Sequence, residues 1–259
     1  FTGVAVRFAM AGALLLGFAR VLGVRLGSAR HERRLWVVNG LLSFCLSYAI
    51  VYWSEQYIPS GLAAVLFATY PLFVAALAHV ALPGERLSGA AGLGMLLGFA
   101  GVGVIFSDDL ALLGGEAVRR AALVMLVSPL VSAAASVAVK RWGGAVHPVS
   151  MAAVPMLLAG ALMGLVALVF ERGRPLVVDA RSVGALLYLV VFGSAVTFTL
   201  YYWLLARVKA TEVALMSYLI PIVAVAVGAL AFDEPLRPRV VAGSALVLAG
   251  VAFVGRKRR

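Results

Sequence analysis

Nine apolar runs follow one another through this chain, at about 3–22, 35–57, 60–82, 88–107, 120–140, 148–170, 183–206, 210–232 and 238–255. A run of about 20 such residues crosses a bilayer as a helix, and helices or closed barrels alone satisfy every backbone group in lipid. The expected fold class is therefore an all-α polytopic membrane protein. With 63% hydrophobic and 13% charged residues, the chain carries about half the charge of a soluble domain. Apolar runs continue to its end, which a secretory signal peptide does not explain. The net charge of +11 would suggest nucleic acid in a soluble protein. Here Lys and Arg mark cytoplasmic loops, and no nucleic-acid partner is expected. One cysteine, Cys45, precludes an intrachain disulfide or a Cys-based metal site. His31, His79 and His147 lack ligand spacing, so neither metal nor cofactor is expected.

Two stretches look like copies of one element. At an offset of 150, Tyr52-Trp53 falls on Tyr202-Trp203 and Pro71 on Pro221; after a one-residue loss, Glu85 and Leu87 fall on Glu234 and Leu236. Residues 5–14 resemble 153–162, and the Ala-Gly-Val at 100–102 recurs at 249–251. The first four runs thus match the last four, and the run at 120–140 lacks a mate. Its mate would precede Phe1. The reading is ten transmembrane helices as two five-helix repeats, with the first helix missing and nine present; a genuine nine-helix chain is the alternative. Residues 1–107 form the first repeat, 108–119 an extracytoplasmic linker and 120–259 the second repeat. With the C-terminus cytoplasmic, 14 basic residues face the cytoplasm and seven the other side, with Arg7 left over just inside the first span. That bias favours this orientation. Five is odd, so the second repeat enters inverted, as in many secondary transporters.

The turn-with-glutamate segments PGERLSGAAGLG (83–94) and FDEPLRPRVVAG (232–243), each leading into a Gly-rich helix that ends in Ala-Gly-Val, join the run SGLAAVLFATYPL (60–72) in one order. On these features the chain resembles the EamA-type permeases of the drug/metabolite transporter superfamily. The resemblance implies a carrier in the bacterial inner membrane with both termini cytoplasmic. Its cavity would lie between the repeats, lined by the spans at 35–57, 60–82, 183–206 and 210–232, with help from 120–140 and the missing helix. Such carriers move amino acids, related metabolites or drugs, often outward. The implied partners are a small-molecule substrate and the bilayer; a monomer is compatible with this.

Pro71 and Pro221 each stand twelfth in their runs. A proline frees the carbonyl four residues back, here that of Phe67 or Ser217. The two prolines read as paired hinges lining the cavity, or as fixed kinks that fit the packing. Phe44, Tyr48, Tyr52 and Glu55 share one helix face, and Phe198 and Tyr202 are the mates of Tyr48 and Tyr52. Phe67, Tyr70, Ser217 and Tyr218 flank the prolines, and Ser132 lies in a Ser128/Ser132/Ser136 stripe. Tyr48, Tyr52, Phe67, Tyr70, Phe198, Tyr202, Ser217, Tyr218 and Ser132 are the substrate-binding candidates. Interfacial anchoring of the tyrosines and small-residue packing of the serines are the alternatives. An aromatic, weakly polar cavity suits a substrate with an apolar body and a few polar groups. Glu55 and His79 are the coupling candidates. Glu85 and Glu234 read as caps of the helices that follow them, Gly94 and Gly98 as helix packing, and Asn39 and Ser43 as interhelical hydrogen bonding. No Lys or Arg lies deep in any span, which disfavours phosphorylated cargo, and no acid lies deep either.

The function expected is therefore a secondary transporter with alternating access around a midplane aromatic cavity, in the direction of export. A membrane-embedded enzyme would need a nucleophile or an acid–histidine cluster at one face, and a channel-like protein a polar ring or filter. The sequence offers scattered acids and no ring.

Overall fold

A computed structural model describes the chain except residues 28, 111–113, 145, 173–178, 232–236 and 256–259. Glu234 and the terminal basic run lie outside the described residues. Among the described residues, nine apolar helical segments stand where the apolar runs predict them: α1 (Thr2–Val21), α2 (Arg30–Ser54), α3 (Ser60–Ala81), α4 (Gly89–Ile105), α5 (Glu116–Trp142), α6 (Pro148–Phe170), α7 (Ala180–Arg207), α8 (Ala210–Ala231) and α9 (Pro238–Gly255). α1, α2, α3, α5, α6 and α7 are long and apolar enough to cross a membrane; α4 and the described apolar parts of α8 and α9 are shorter. Large apolar side chains point away from the protein, with Phe170 70% exposed, as lipid-facing residues do. The basic segment expected as a loop at 23–34 is helical from Arg30, because the Glu32 carboxylate accepts the Ala29 N–H at 2.8 Å and closes the first turn.

The chain divides into two compact units, Phe1–Ala49 with Ala138–Val208, and Ile50–Val137 with Lys209–Arg259. Each draws on both halves of the sequence. In the first, α1 packs along α6; in the second, α4 packs along α9. Lipid offers no hydrophobic gain for such pairing, so close approach of small residues carries it. A Cβ on Gly12 would lie 2.9 Å from the Ala153 oxygen and 2.7 Å from Leu157, and one on Gly160 would lie 3.1 Å from the Ala5 oxygen and 2.7 Å from the Ala9 nitrogen. Along α4 and α9, a Cβ on Gly94 would meet the Gly250 oxygen at 2.6 Å, and one on Gly101 would meet the Gly243 oxygen at 2.7 Å. The order of these contacts makes both pairs antiparallel. They are also reciprocal: at the offsets of 148 and 149 found in the sequence, each residue touches the counterpart of the residue that touches its own counterpart.

Two stretches open into π-helix, Gly40–Leu46 within α2 and Val191–Val196 within α7. At the offset of 150 they coincide to within one residue at one end. In the second, Thr197 Oγ1 donates to the Phe192 carbonyl five residues back at 2.6 Å. In the first, Gly40 presses on Pro155 and Leu158 of α6, where a Cβ would come within 3.0 Å of the leucine.

The two central prolines have different settings. α3 is interrupted between Phe67 and Tyr70, and Pro71 falls in the first turn of the second segment. Its missing N–H is no loss there. Pro221 lies inside the continuous helix α8.

Glu85 corrects the expectation made for it. The helix that follows it, α4, is capped by Ser88, whose Oγ accepts the Ala91 N–H at 3.2 Å. The buried Glu85 carboxylate instead accepts the Ala210 and Thr211 N–H groups at 3.0 and 3.4 Å. It caps the start of α8, a helix far along the chain, where the dipole favours a carboxylate. At the other end of a helix, Lys140 donates to the carbonyls of Leu205 and Val208 at 2.8 and 2.9 Å, filling orphan acceptors at the end of α7.

Candidate functional site

In the first unit, five aromatic rings from α1, α2 and α7 form a continuous cluster. Phe8 meets Phe44 and Tyr48 edge-on at centroid distances of 5.2 and 4.8 Å. Phe44 meets Phe198 at 4.7 Å, and Phe198 stacks towards Tyr202 at 6.5 Å. Helical spacing explains the array: Phe44 and Tyr48 lie one turn apart on α2, as do Phe198 and Tyr202 on α7. Each pair follows or overlaps a π-helical stretch, a distortion frequent at functional sites. Phe8 and Phe44 are fully buried, whereas Tyr48 and Phe198 are half-buried. The ring of Tyr202 is 4% exposed. Its hydroxyl pairs with the buried Asn39, accepting from Nδ2 at 2.8 Å, and that nitrogen also donates to the Met151 carbonyl at 3.2 Å. Asn39 is thus the interhelical linker expected of it, joining α2 to α6 and α7.

The group that sequence reasoning missed is Arg7. Its Cα lies just inside the first apolar run, and the sequence leads one to expect no cation deep in any span. The structure overturns this. Arg7 is 9% exposed, its Nε donates to Ser194 Oγ at 2.8 Å and its Nη2 to the Gly193 carbonyl at 2.9 Å. Ser194 is the fifteenth of the 28 residues of α7, so the long side chain carries its charge to the middle of that helix. The guanidinium carbon lies 5.5 and 5.6 Å from the ring centroids of Phe8 and Tyr48, within cation–π range. The one hint in the sequence was an arginine inside an otherwise apolar run.

In the second unit, Phe67 and Tyr70 stack at 5.8 Å. The Tyr70 hydroxyl lies 2.9 Å from Ser136 Oγ on α5, and Ser136 Oγ also donates to the Ser132 carbonyl at 2.8 Å. The serine stripe of α5 therefore meets the aromatic pair of α3. Ser132 and Phe67 are half-buried, and Tyr70 is buried. Ser217 is half-buried and donates to the Ala214 carbonyl at 2.9 Å. Tyr218 is 0% exposed; its hydroxyl donates to the Met95 carbonyl at 3.0 Å and its ring fills the space that Gly98 leaves. Tyr52 is exposed.

The coupling candidates lie at helix ends. Glu55 follows the end of α2 and its side chain is exposed, yet desolvation by neighbouring groups raises its carboxyl pKa. His79 is exposed near the end of α3, where its Nδ1 accepts the Leu87 N–H at 3.1 Å and holds the turn to α4.

Comparison with known proteins gives a concordant result. A solved crystal structure superposes with a TM-score of 0.87 over 100% of this chain and 89% of its own, at 20% identity, which establishes a shared fold. An uncharacterized transporter of Archaeoglobus fulgidus is 28% identical over 219 residues, 85% of this chain and 76% of that one. YedA, an uncharacterized inner membrane transporter of Escherichia coli K12, is 30% identical over 229 residues, 86% of this chain and 71% of its own. A probable terminal-alkyne amino-acid exporter of Streptantibioticus cattleyicolor is 28% identical over 252 residues, 97% and 82% of the two chains. The family model of EamA-like transporters matches residues 1–107 and 119–256. With apolar helices along its length and a match that spans nearly all of it, the chain is a membrane transporter and belongs to the EamA-like transporter family.

Proposed function

We propose that this chain is a secondary carrier that exports a small metabolite with an apolar body across the bacterial inner membrane, by alternating access around an aromatic site. The observation that carries this reading is the reciprocity of the α1–α6 and α4–α9 contacts. Antiparallel helices that touch through matched residues are what two copies of one element related by a two-fold axis would make, and inverted repeats are the architecture of many alternating-access carriers. The linker at 108–119 would separate the copies, with the second running from 120 to the cytoplasmic C-terminus. Within each copy, the half-buried rings of Tyr48 and Phe198 occupy matched positions and supply an apolar contact surface. Tyr52, Phe67, Tyr70, Ser132 and Ser217 extend the set of substrate contacts, while Tyr202 and Tyr218 shape it from behind, and Pro71 and Pro221 are its hinges. Glu55 is the first candidate for proton coupling and His79 the second. The amino-acid exporter among the relatives supports an amino acid with an apolar side chain as cargo.

The test is counterflow of labelled amino acids in proteoliposomes. Saturable exchange is expected, with Tyr48→Ala or Phe198→Ala lowering it by about tenfold, since an aromatic truncation in a packed contact costs on the order of 1.4 kcal/mol or more. Unsaturable flux would identify a channel. Two variants that exchange like the wild type would remove the aromatic cluster from the substrate path.

A further inference from the structure

A guanidinium has five N–H donors, and Arg7 uses two of them, on Ser194 Oγ and the Gly193 carbonyl. The other three, two on Nη1 and one on Nη2, have no protein acceptor among the described residues. No carboxylate pairs with Arg7 there either. What faces the charge is the pair of rings of Phe8 and Tyr48. Two aromatic faces offset only part of the cost of a largely buried cation without a counter-ion, and its Nη1 is not itself a fully buried atom, so the open edge of the group faces accessible space. An ionisable group inside a membrane span, held in a fixed orientation and lacking its anion, is a binding group in search of one.

We infer that Arg7 is a specificity-determining residue that receives a carboxylate of the transported molecule, so that the cargo class is a small monocarboxylate with an apolar body. The inference rests on the carrier reading above and adds the chemistry of the ligand to it. The edge of the guanidinium left open, Nη1 and Nη2, is the edge that takes a carboxylate through two parallel hydrogen bonds. The bonds to Ser194 and Gly193 hold the plane of the group, so the fork is oriented before the ligand arrives. Phe198 lies one turn beyond Ser194 on the same face of α7. An apolar substituent carried by the carboxylate then meets the half-buried rings of Tyr48 and Phe198. One arginine matches one negative charge. A phosphate ester, with nearly two, would call for further cations, and the cluster contains no second Lys or Arg among the described residues.

The experiment compares acids with their carboxylate-free analogues. Proteoliposomes of the wild type, Arg7→Gln and Arg7→Lys are tested with phenylalanine against phenethylamine, leucine against isoamylamine, and a panel of 2-oxo and 2-hydroxy acids. The wild type should exchange at least one acid and prefer it over its amine by about tenfold or more, the range of a charge-assisted hydrogen bond. Arg7→Gln should bring that preference to within about twofold, and Arg7→Lys, which keeps the charge and loses the fork, should fall between. In parallel, the acid and not the amine should raise the melting temperature of purified wild-type protein, a readout that needs no variant to fold. Amines that protect the wild type as well as acids do, exchange of amines without any acid, or an undiminished preference in Arg7→Gln would each overturn the assignment while leaving the carrier reading intact. A wild type that exchanges none of these compounds and is protected by none overturns the carrier reading itself.

Discussion

The seam between α4 and α9 allows a prediction with an internal control. A Cβ on Gly101 would stand 2.7 Å from the Gly243 oxygen and 2.8 Å from the Val247 nitrogen. Ordinary carbon–oxygen contacts begin near ~3.3 Å, so the gap is short by roughly 0.6 Å. A Val247 side-chain carbon also stands at 2.7 Å, but the other two obstructing atoms are backbone of the facing helix, so side-chain rotation alone does not relieve the clash; the helices must separate. A radial gap of that size forfeits a quarter or more of the dispersion well for each atom pair along the seam. Overpacking costs about 1–3 kcal/mol, and the upper end applies where backbone resists. Alanine returns about 1 kcal/mol in helix propensity over glycine. Gly101→Ala should therefore destabilise by about 2 kcal/mol. Gly103, two residues on in the same helix, has nothing within 4 Å of its Cβ position. Gly103→Ala should be neutral or stabilising. The readout is reversible unfolding in mixed micelles followed by tryptophan fluorescence. The contacts of Gly243 mirror those of Gly101, at 2.6 Å from the Gly101 oxygen and 2.9 Å from the Ile105 nitrogen. Gly243→Ala should match Gly101→Ala to within about 0.5 kcal/mol, and the double variant should cost less than the sum because the first separation relieves the second clash. Equal effects of Gly101→Ala and Gly103→Ala would refute the close-packing argument, and a large difference between Gly101→Ala and Gly250→Ala, its counterpart at the offset of 149, would count against two related copies.

Tyr202→Phe removes a hydroxyl that is paired with the 1% exposed Asn39; it should lower stability by about 1–2 kcal/mol with the KM of exchange unchanged, and a raised KM at unchanged stability would make that hydroxyl a substrate ligand instead. Desolvation raises the Glu55 pKa, so this carboxyl takes up its proton at a higher pH than a solvated glutamate would. Exchange should then carry an acid-side transition that Glu55→Gln abolishes, and the same transition in the variant would take Glu55 out of proton coupling.

The helices were legible because lipid imposes a length and a polarity on each; among the described residues six helices meet both, and three shorter apolar ones stand on the remaining runs. The aromatic faces were legible for the same reason that any helix face is, since Phe44 and Tyr48 repeat at one turn. The destination of a long polar side chain was not. Arg7 stands near the start of α1, and its Cα position says nothing of a guanidinium that reaches the midpoint of α7. Glu85 was read as a cap, and a cap it is, but of α8 rather than α4. A carboxylate in a turn signals that some helix start is near; which one depends on packing across more than 120 residues of chain. The π-helical stretches left little trace, because nothing in their composition separates them from ordinary apolar helix.

By itself, the sequence determined that this chain is a bundle of membrane helices, roughly where each begins and ends, and that its two halves share a pattern. These follow from hydropathy and local spacing, which neighbouring residues encode without reference to the rest of the chain. Only the tertiary structure decided which glycines meet backbone to backbone, which hydroxyls are already engaged and where the buried positive charge comes to rest. Those depend on contacts between residues more than 100 positions apart. In a chain so uniformly apolar, many pairings satisfy the same hydropathy, and shape and the few polar groups select among them.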